Sequence, residues 1–385
     1  METIYIVIVG VLFALAISDL IVGVSNDAVN FLNSAFGSKV APKYIIMIIA
    51  SVGIIVGTTF SSGMMEVARK GIFHPDQFVF SEIMIIFLAV MLTDIILLDL
   101  FNTLALPTST TVSIVFELLG AAVAVSLIKI SAAGEGVLSD FINSDKALAI
   151  ISGILLSVVI AFILGAIAQF ITRLIFSFNY KKSQQFFGAI WGGIAITAIT
   201  YFILIKGAKG SSFITGESLV WIKENSFQIL LYSFIGWTII LQFLLEIIKL
   251  NIFKFIILVG TFALALAFAS NDLVNFIGVP LAGFKSFLAF SESNTAADAF
   301  TMEALTQPVK SNTYILIIAG LIMVITLWFS RKARSVTRTE INLSRQDVGS
   351  ERFGSSLVSR LLVRRAVNFN KNMVKIMPRS MLVKM

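Results

Sequence analysis

The chain reads as an all-α polytopic membrane protein built on an inverted repeat, with discontinuous or re-entrant helices. Three observations predict this. First, 57% of the 385 residues are hydrophobic, 13% are charged, and the mean hydropathy is +0.95. Soluble chains are about 45–50% apolar and about 25% charged, and a soluble protein of this size could not hide the excess. Second, apolar runs recur at the roughly 20-residue length that a spanning helix needs. Third, the stretch SNDAVNF at Ser25–Phe31 returns as SNDLVNF at Ser270–Phe276, matching at six of seven positions.

Nine apolar segments are expected as helices, at about 4–24, 43–62, 82–105, 107–130, 147–172, 186–205, 226–248, 252–270 and 311–330. The first run has no basic n-region and no small-residue cleavage site, so it is a retained helix and not a signal peptide. Thirteen of the 29 Lys/Arg but only three of the 22 Asp/Glu lie from Arg331 onward. By the positive-inside rule that tail is cytoplasmic. Counting back puts Lys249, Lys254, Arg173, Lys181, Lys182, Lys39 and Lys43 inside, the acidic loops 135–145 and 292–303 outside, and the N-terminus outside. Arg69 and Lys70 are the exceptions. If the third and fourth segments form a re-entrant hairpin around Pro107, the parity is unchanged. The location expected is the cytoplasmic (inner) membrane.

The two heptapeptides are 245 residues apart, too far for a solenoid repeat and suited to a duplicated half. The first ends a helix running inward and the second a helix running outward. Opposed copies of one motif are the mark of an inverted-repeat transporter. An Asp in hydrocarbon must face a cavity, a partner or an ion. Asn26 and Asn30 are one turn apart, and Asp27 and Asn30 are three residues apart, so carboxylate and amide oxygens share a face. Such oxygens suit a hard cation such as Na+. A helix broken here would add free carbonyls as ligands and aim N–H groups at an anion. Simple capping explains one Ser-Asn-Asp, but not a second copy with the same Val-Asn-Phe continuation.

A second constellation is LPTSTTVS at Leu106–Ser113. Pro107 suits a helix start. Thr108, Ser109, Thr110 and Thr111 then supply hydroxyls and unbonded first-turn N–H groups, an oxyanion cradle that needs no Lys.

With both motifs in place, the chain resembles the PiT family of inorganic phosphate transporters. That family carries a Gly-Ala-Asn-Asp-type motif and a Pro-x-Ser-Thr-Thr motif in each half. Here the first pair is Asn26-Asp27-Ala28-Val29-Asn30 with Pro107-Thr108-Ser109-Thr110-Thr111, and the second Asn-Asp motif is Asn271-Asp272-Leu273-Val274-Asn275. Gly37-Ser38-Lys39 and the stretch from Glu66 to Ile72 also fit, and the likeness covers about 1–330. The resemblance implies cation-coupled phosphate symport by alternating access, with Na+ favoured over H+. It implies Asp27, Asn30, Asp272 and Asn275 at the cation, and Asn26, Asn271, Ser109, Thr110 and Thr111 around phosphate. The chain departs from the pattern in three ways. Val24-Ser25 and Ala269-Ser270 replace Gly-Ala, Val112 stands where a His commonly follows, and no second Pro-x-Ser-Thr-Thr is present. The second half is therefore expected to be incomplete. The expected organisation is a first repeat at 1–130, connecting helices at 131–250, the start of the inverted repeat at 251–330, and a basic tail or linker at 331–385.

Four other acids are functional candidates, because intramembrane carboxyls are functional by default. They are Asp19, which shares the Asn26 face in a continuous helix, Asp94, Glu117, and Glu66, which matches a family acid. Asp99, near the loop before Pro107, ranks below them, and His74 is a loop residue. With no Cys and one His, disulfides, zinc thiolates and a Ser-His-Asp triad are excluded, and no enzymatic constellation stands out. No organic cofactor is expected. Partners are inorganic phosphate and the lipid bilayer, with a homo-oligomer left open; the basic tail reads as lying beside anionic lipid, not nucleic acid. A transporter for another oxyanion or a metal–phosphate complex, and a non-transporting phosphate-binding subunit, are the rival functions.

Overall fold

A computed structural model describes residues 2–61, 64–65, 71–177, 180–204, 216–293, 295–306, 309–310, 312–343 and 354–376. In chain order the helices are α1 (Glu2–Asp27), α2 (Val29–Gly37), α3 (Lys43–Phe60), α4 (Phe80–Leu104), α5 (Thr110–Ala133), α6 (Leu138–Phe141), α7 (Ser144–Phe176) and α8 (Tyr180–Phe202). They continue as α9 (Gly216–Glu224), α10 (Ser226–Ile247), α11 (Ile252–Asn271), α12 (Leu273–Glu292), α13 (Thr313–Phe329), α14 (Arg331–Leu343) and α15 (Leu357–Ile376). The backbone also makes one two-residue antiparallel pairing, β1 (Met64–Met65) with β2 (Val309–Lys310).

Each of the nine expected apolar segments is helical over most of its described residues. Seven helical elements among the described residues are long and apolar enough to cross a membrane, or up to eight if α13 and α14, bent by 66°, count as one span. The protein is therefore multi-pass. Local chemistry sets the helix ends. Asn143 and Asn251 accept from the N–H groups of Lys146 and Lys254 at the starts of α7 and α11, the usual N-cap contact. Gly134, at φ 72°, ends α5 in the left-handed conformation that suits glycine. α12 falls outside the expected segments. It contains Pro280 and lies between the eighth expected segment and the acidic loop expected at 292–303, and its residues from Asn275 to Gly283 are buried.

Helix directions follow from side-chain neighbours. Along α1 and α12, Leu12 lies against Gly283 and Gly23 against the Phe276 ring, so the two helices are antiparallel. Tyr5, Phe80 and Phe290 meet at one end, with Phe80 and Phe290 stacked at 4.3 Å and Tyr5 4.8 Å from Phe80. Since α1 and α2 are continuous but for Ala28, and α11 and α12 but for the Asp272 turn, the two heptapeptides lie on helices of opposite direction. α3 and α11 run parallel and touch closely. A Cβ on Gly53 would come within 2.6 Å of the Phe262 carbonyl oxygen, and one on Gly57 within 2.4 Å of the Leu266 carbonyl oxygen. This is the small-xxx-small packing that lets membrane helices approach through their backbones.

α4 and α5 form a hairpin. Its outer ends are tied by the Lys129–Glu82 ion pair at 2.9 Å. Its tip, Ala105–Ser109, turns back at the depth of the first heptapeptide, where Val29, Ala105 and Val336 pack together. The tail does not simply leave the bundle. α14 packs on α2, with Ala333, Val336, Thr337 and Thr339 buried.

Candidate functional site

Ala105 ends α4 with φ 52° and ψ 43°, a left-handed turn that α4 cannot continue through. Pro107 follows and favours an extended residue before it, and Ser109 caps α5 by accepting from the Val112 N–H at 3.4 Å. The chain thus runs unwound between two helices inside an apolar bundle, where its polar backbone groups need partners.

Asn26 supplies them. It is wholly buried, its Nδ2 donates to the Leu106 carbonyl and to Asn102 Oδ1 at 3.0 Å each, and its Oδ1 accepts from the Thr108 N–H at 2.7 Å. Asn102 in turn donates to the Val22 carbonyl at 2.8 Å. The amide protons of Asn26 are spent on Leu106 of the hairpin tip and on Asn102 at the end of α4. In this conformation Asn26 is a brace that positions the expected phosphate cradle. Asn102 is a residue the sequence reading missed. A lone Asn in an apolar run, five residues before Pro107, is the signal that could have found it.

The hydroxyls at the start of α5 point to carboxylates. Thr110 Oγ1 donates to Asp27 Oδ2 at 2.7 Å. Thr111 Oγ1 donates to Asp272 Oδ1 at 3.3 Å and accepts from Asn275 Nδ2 at 2.9 Å. One helix start thus ties together both Asn-Asp motifs, which are 245 residues apart. Asp27 is 3% exposed, and its Oδ1 has no donor among the described residues. The carboxylate and hydroxyl oxygens of Asp27, Asp272, Thr110 and Thr111 form a hard-oxygen set suited to a cation such as Na+. The positive N-terminal end of α5 at the same place favours an anion.

Other expected residues stand apart. Asn30 is exposed, while its counterpart Asn275 is buried. Asn271 is also exposed and bonds back to the Ala267 carbonyl of its own helix at 3.0 Å. Ser109 is exposed beside the cluster. Glu66 lies outside the described residues, as do Arg69 and Lys70. Nor is the helix unwound at the motifs. Ala28 keeps helical dihedrals, and its N–H bonds to the Val24 carbonyl at 3.0 Å, so few carbonyls are freed there. The unwound segment belongs to the hairpin tip.

Asp19, Asp94 and Glu117 meet in a second cluster, one from each of α1, α4 and α5. Asp94 sits between the other two, carboxyl against carboxyl. Asp19 and Asp94 are fully buried, and with all three ionised no donor among the described residues reaches their oxygens. A proton on one supplies a hydrogen bond to its neighbour. No group of three or more His, Asp or Glu among the described residues has the arrangement of a metal site. Asp99 is paired outside this cluster, with Lys332 of α14.

A multi-pass helical bundle with opposed polar motifs meeting at one hairpin tip defines a transporter-type membrane protein. The model of the phosphate transporter family matches residues 23–339, and the chain belongs to that family, whose members are transporters and not enzymes. The chain is 26% identical over 265 residues, 66% of its length, to the candidate phosphate permease TK2061 of Thermococcus kodakarensis; it spans 61% of that relative's length. Its fold is similar to that of a solved sodium-dependent phosphate transporter, with a TM-score of 0.58 and 17% identity over 87% of this chain and 82% of that one.

Proposed function

We propose that the chain carries inorganic phosphate across the cytoplasmic membrane by cation-coupled symport, with Na+ as the coupling ion. The observation that carries this reading is the double tether of α5. Thr110 and Thr111 are adjacent, and each holds the Asp of one motif copy. A Na+ shared by Asp27 and Asp272 would offset one of their two negative charges and so ease the approach of phosphate to the first-turn N–H groups of α5. Phosphate and cation binding would then be coupled, each raising the affinity for the other by the same factor. Asp27, Asp272 and Asn275 are the residues assigned to the cation, with Asn30 joining if the exposed turn closes. Ser109, Thr110 and Thr111 are assigned to phosphate, and Asn271 marks the open side. Family membership and the permease relative support the substrate, and the sodium-dependent neighbour supports the ion. The antiparallel course of α1 and α12 supports the inverted repeat and alternating access. The basic end formed by Lys39, Lys43 and α14 is placed in the cytoplasm, with the N-terminus outside.

Equilibrium dialysis of ³²P-phosphate against the purified chain tests this. Bound phosphate should rise with Na+ and fail to rise with K+. Phosphate binding indifferent to Na+ would remove the coupling. A second reading, H+ coupling, is favoured by the facing carboxyls of Asp19, Asp94 and Glu117, whose oxygens meet no donor among the described residues. It predicts phosphate binding that tracks pH at constant Na+.

A further inference from the structure

A cavity of about 220 Å³ opens where α2, α3, α13 and α14 meet. It is far larger than the ~10–15 Å³ that one water needs. Leu32, Phe36 and Met47 give it apolar walls, and Lys43, Arg334 and Arg338 stand around it. α14 carries Arg334 and Arg338 one turn apart, both exposed, above a buried face of Ala333 and Val336. No carboxylate pairs with Lys43, Arg334 or Arg338 among the described residues; Arg334 reaches only the Ser330 carbonyl at 3.2 Å and the Phe329 carbonyl at 3.5 Å. α14 leaves α13 at 66°, as a helix does when it turns from crossing a membrane to lying along its surface.

Apolar walls beneath three cations match one kind of molecule, an acyl chain joined to an anionic headgroup. We propose that this cavity is a binding site for an anionic phospholipid, its chain between α2 and α3 and its phosphate on Lys43, Arg334 and Arg338. Basic pockets between membrane helices on the cytoplasmic side are suited to such headgroups. A free oxyanion would gain nothing from Leu32, Phe36 and Met47, and a zwitterionic lipid would leave the cations uncompensated. The site lies one helix away from the Asp27 cluster and does not depend on the transport reading. A bound lipid would hold α14 on α2, where Val336 packs against Val29 and the hairpin-tip residue Ala105.

Native mass spectrometry of the full chain in mild detergent, titrated with phosphatidylglycerol or phosphatidylcholine, tests this directly. The expected result is saturable binding of phosphatidylglycerol over phosphatidylcholine, weakened about thirtyfold in R334Q/R338Q, the effect of two headgroup charges at about 1 kcal/mol each. Both arginines are exposed, so the variant should fold. R360Q/R364Q, on the exposed helix α15, should bind as the parent does. Equal retention of the two lipids, binding unchanged in R334Q/R338Q, or displacement of the lipid by inorganic phosphate would each overturn the assignment.

Discussion

The Thr110 hydroxyl donates to the Asp27 carboxylate across 2.7 Å, joining the first turn of α5 to the first Asn-Asp motif inside the bundle. Thr111 makes the matching contact with Asp272. A hydroxyl on a buried carboxylate fixes where its negative charge sits, and so where a cation would be held.

Removing that donor should therefore be felt in cation affinity. Thr110→Val keeps the shape but leaves Asp27 without its partner. Hydrogen bonds to charged groups contribute roughly 1.5–3 kcal/mol. The Na+ concentration that half-saturates phosphate binding should shift by about tenfold or more, as read by dialysis. An unchanged Na+ dependence would place the cation elsewhere.

The hairpin tip makes a different prediction. Asn102→Ala strands a donor of Asn26 and the Val22 carbonyl in the apolar interior. It should lower stability by about 1–3 kcal/mol. Asn271→Ala, on an exposed side chain bonded to its own helix, should change stability by no more than about 0.5 kcal/mol. Thermal unfolding in detergent ranks the two; the reverse order would mean the Asn26 brace is not structural.

Close backbone contact between α3 and α11 is testable at one atom. Gly57→Leu would drive its Cβ into the Leu266 carbonyl. Overpacking of this kind costs about 1–3 kcal/mol, and more where backbone must move. A variant that unfolds at the parent's temperature would show that α3 and α11 are not held in this register.

The three facing carboxyls should be a place where function is kept against stability. Asp94→Asn gives the centre of the cluster two donors, one toward Asp19 and one toward Glu117. It should raise the thermal midpoint while altering the pH response of phosphate binding. A lower midpoint would show that the cluster already has partners and does not hold unpaired charge.

Much of this was legible in the residues. Long apolar runs marked the helices. The repeated Ser-Asn-Asp marked their opposed motifs, because an Asp beside an Asn in hydrocarbon needs a cavity, a partner or an ion. The meeting of Asp27, Asp272, Thr110 and Thr111 follows once two motifs and one hairpin are known to share a site. The division of labour did not follow. Asn26 and Asn271 look alike in sequence, but one is buried bracing a hairpin tip and the other is exposed and bonds back to its own helix. α12 was hidden by Pro280, which reads as a helix breaker unless neighbours enclose it. The packing of α14 beneath α2 was hidden by its charge, since a basic run gives no sign of the buried face formed by Ala333, Val336 and Thr337.

The most direct measurement is ³²P-phosphate uptake into proteoliposomes holding this chain, with and without an inward Na+ gradient, for the parent, Asp27→Asn and Asp272→Asn. Uptake driven by Na+ and reduced at least about tenfold in both variants, the loss of roughly 1.4 kcal/mol of cation binding or more, is the result expected of a shared cation held by the two motifs. Phosphate binding with no uptake under any gradient would contradict symport and leave a phosphate-binding membrane subunit.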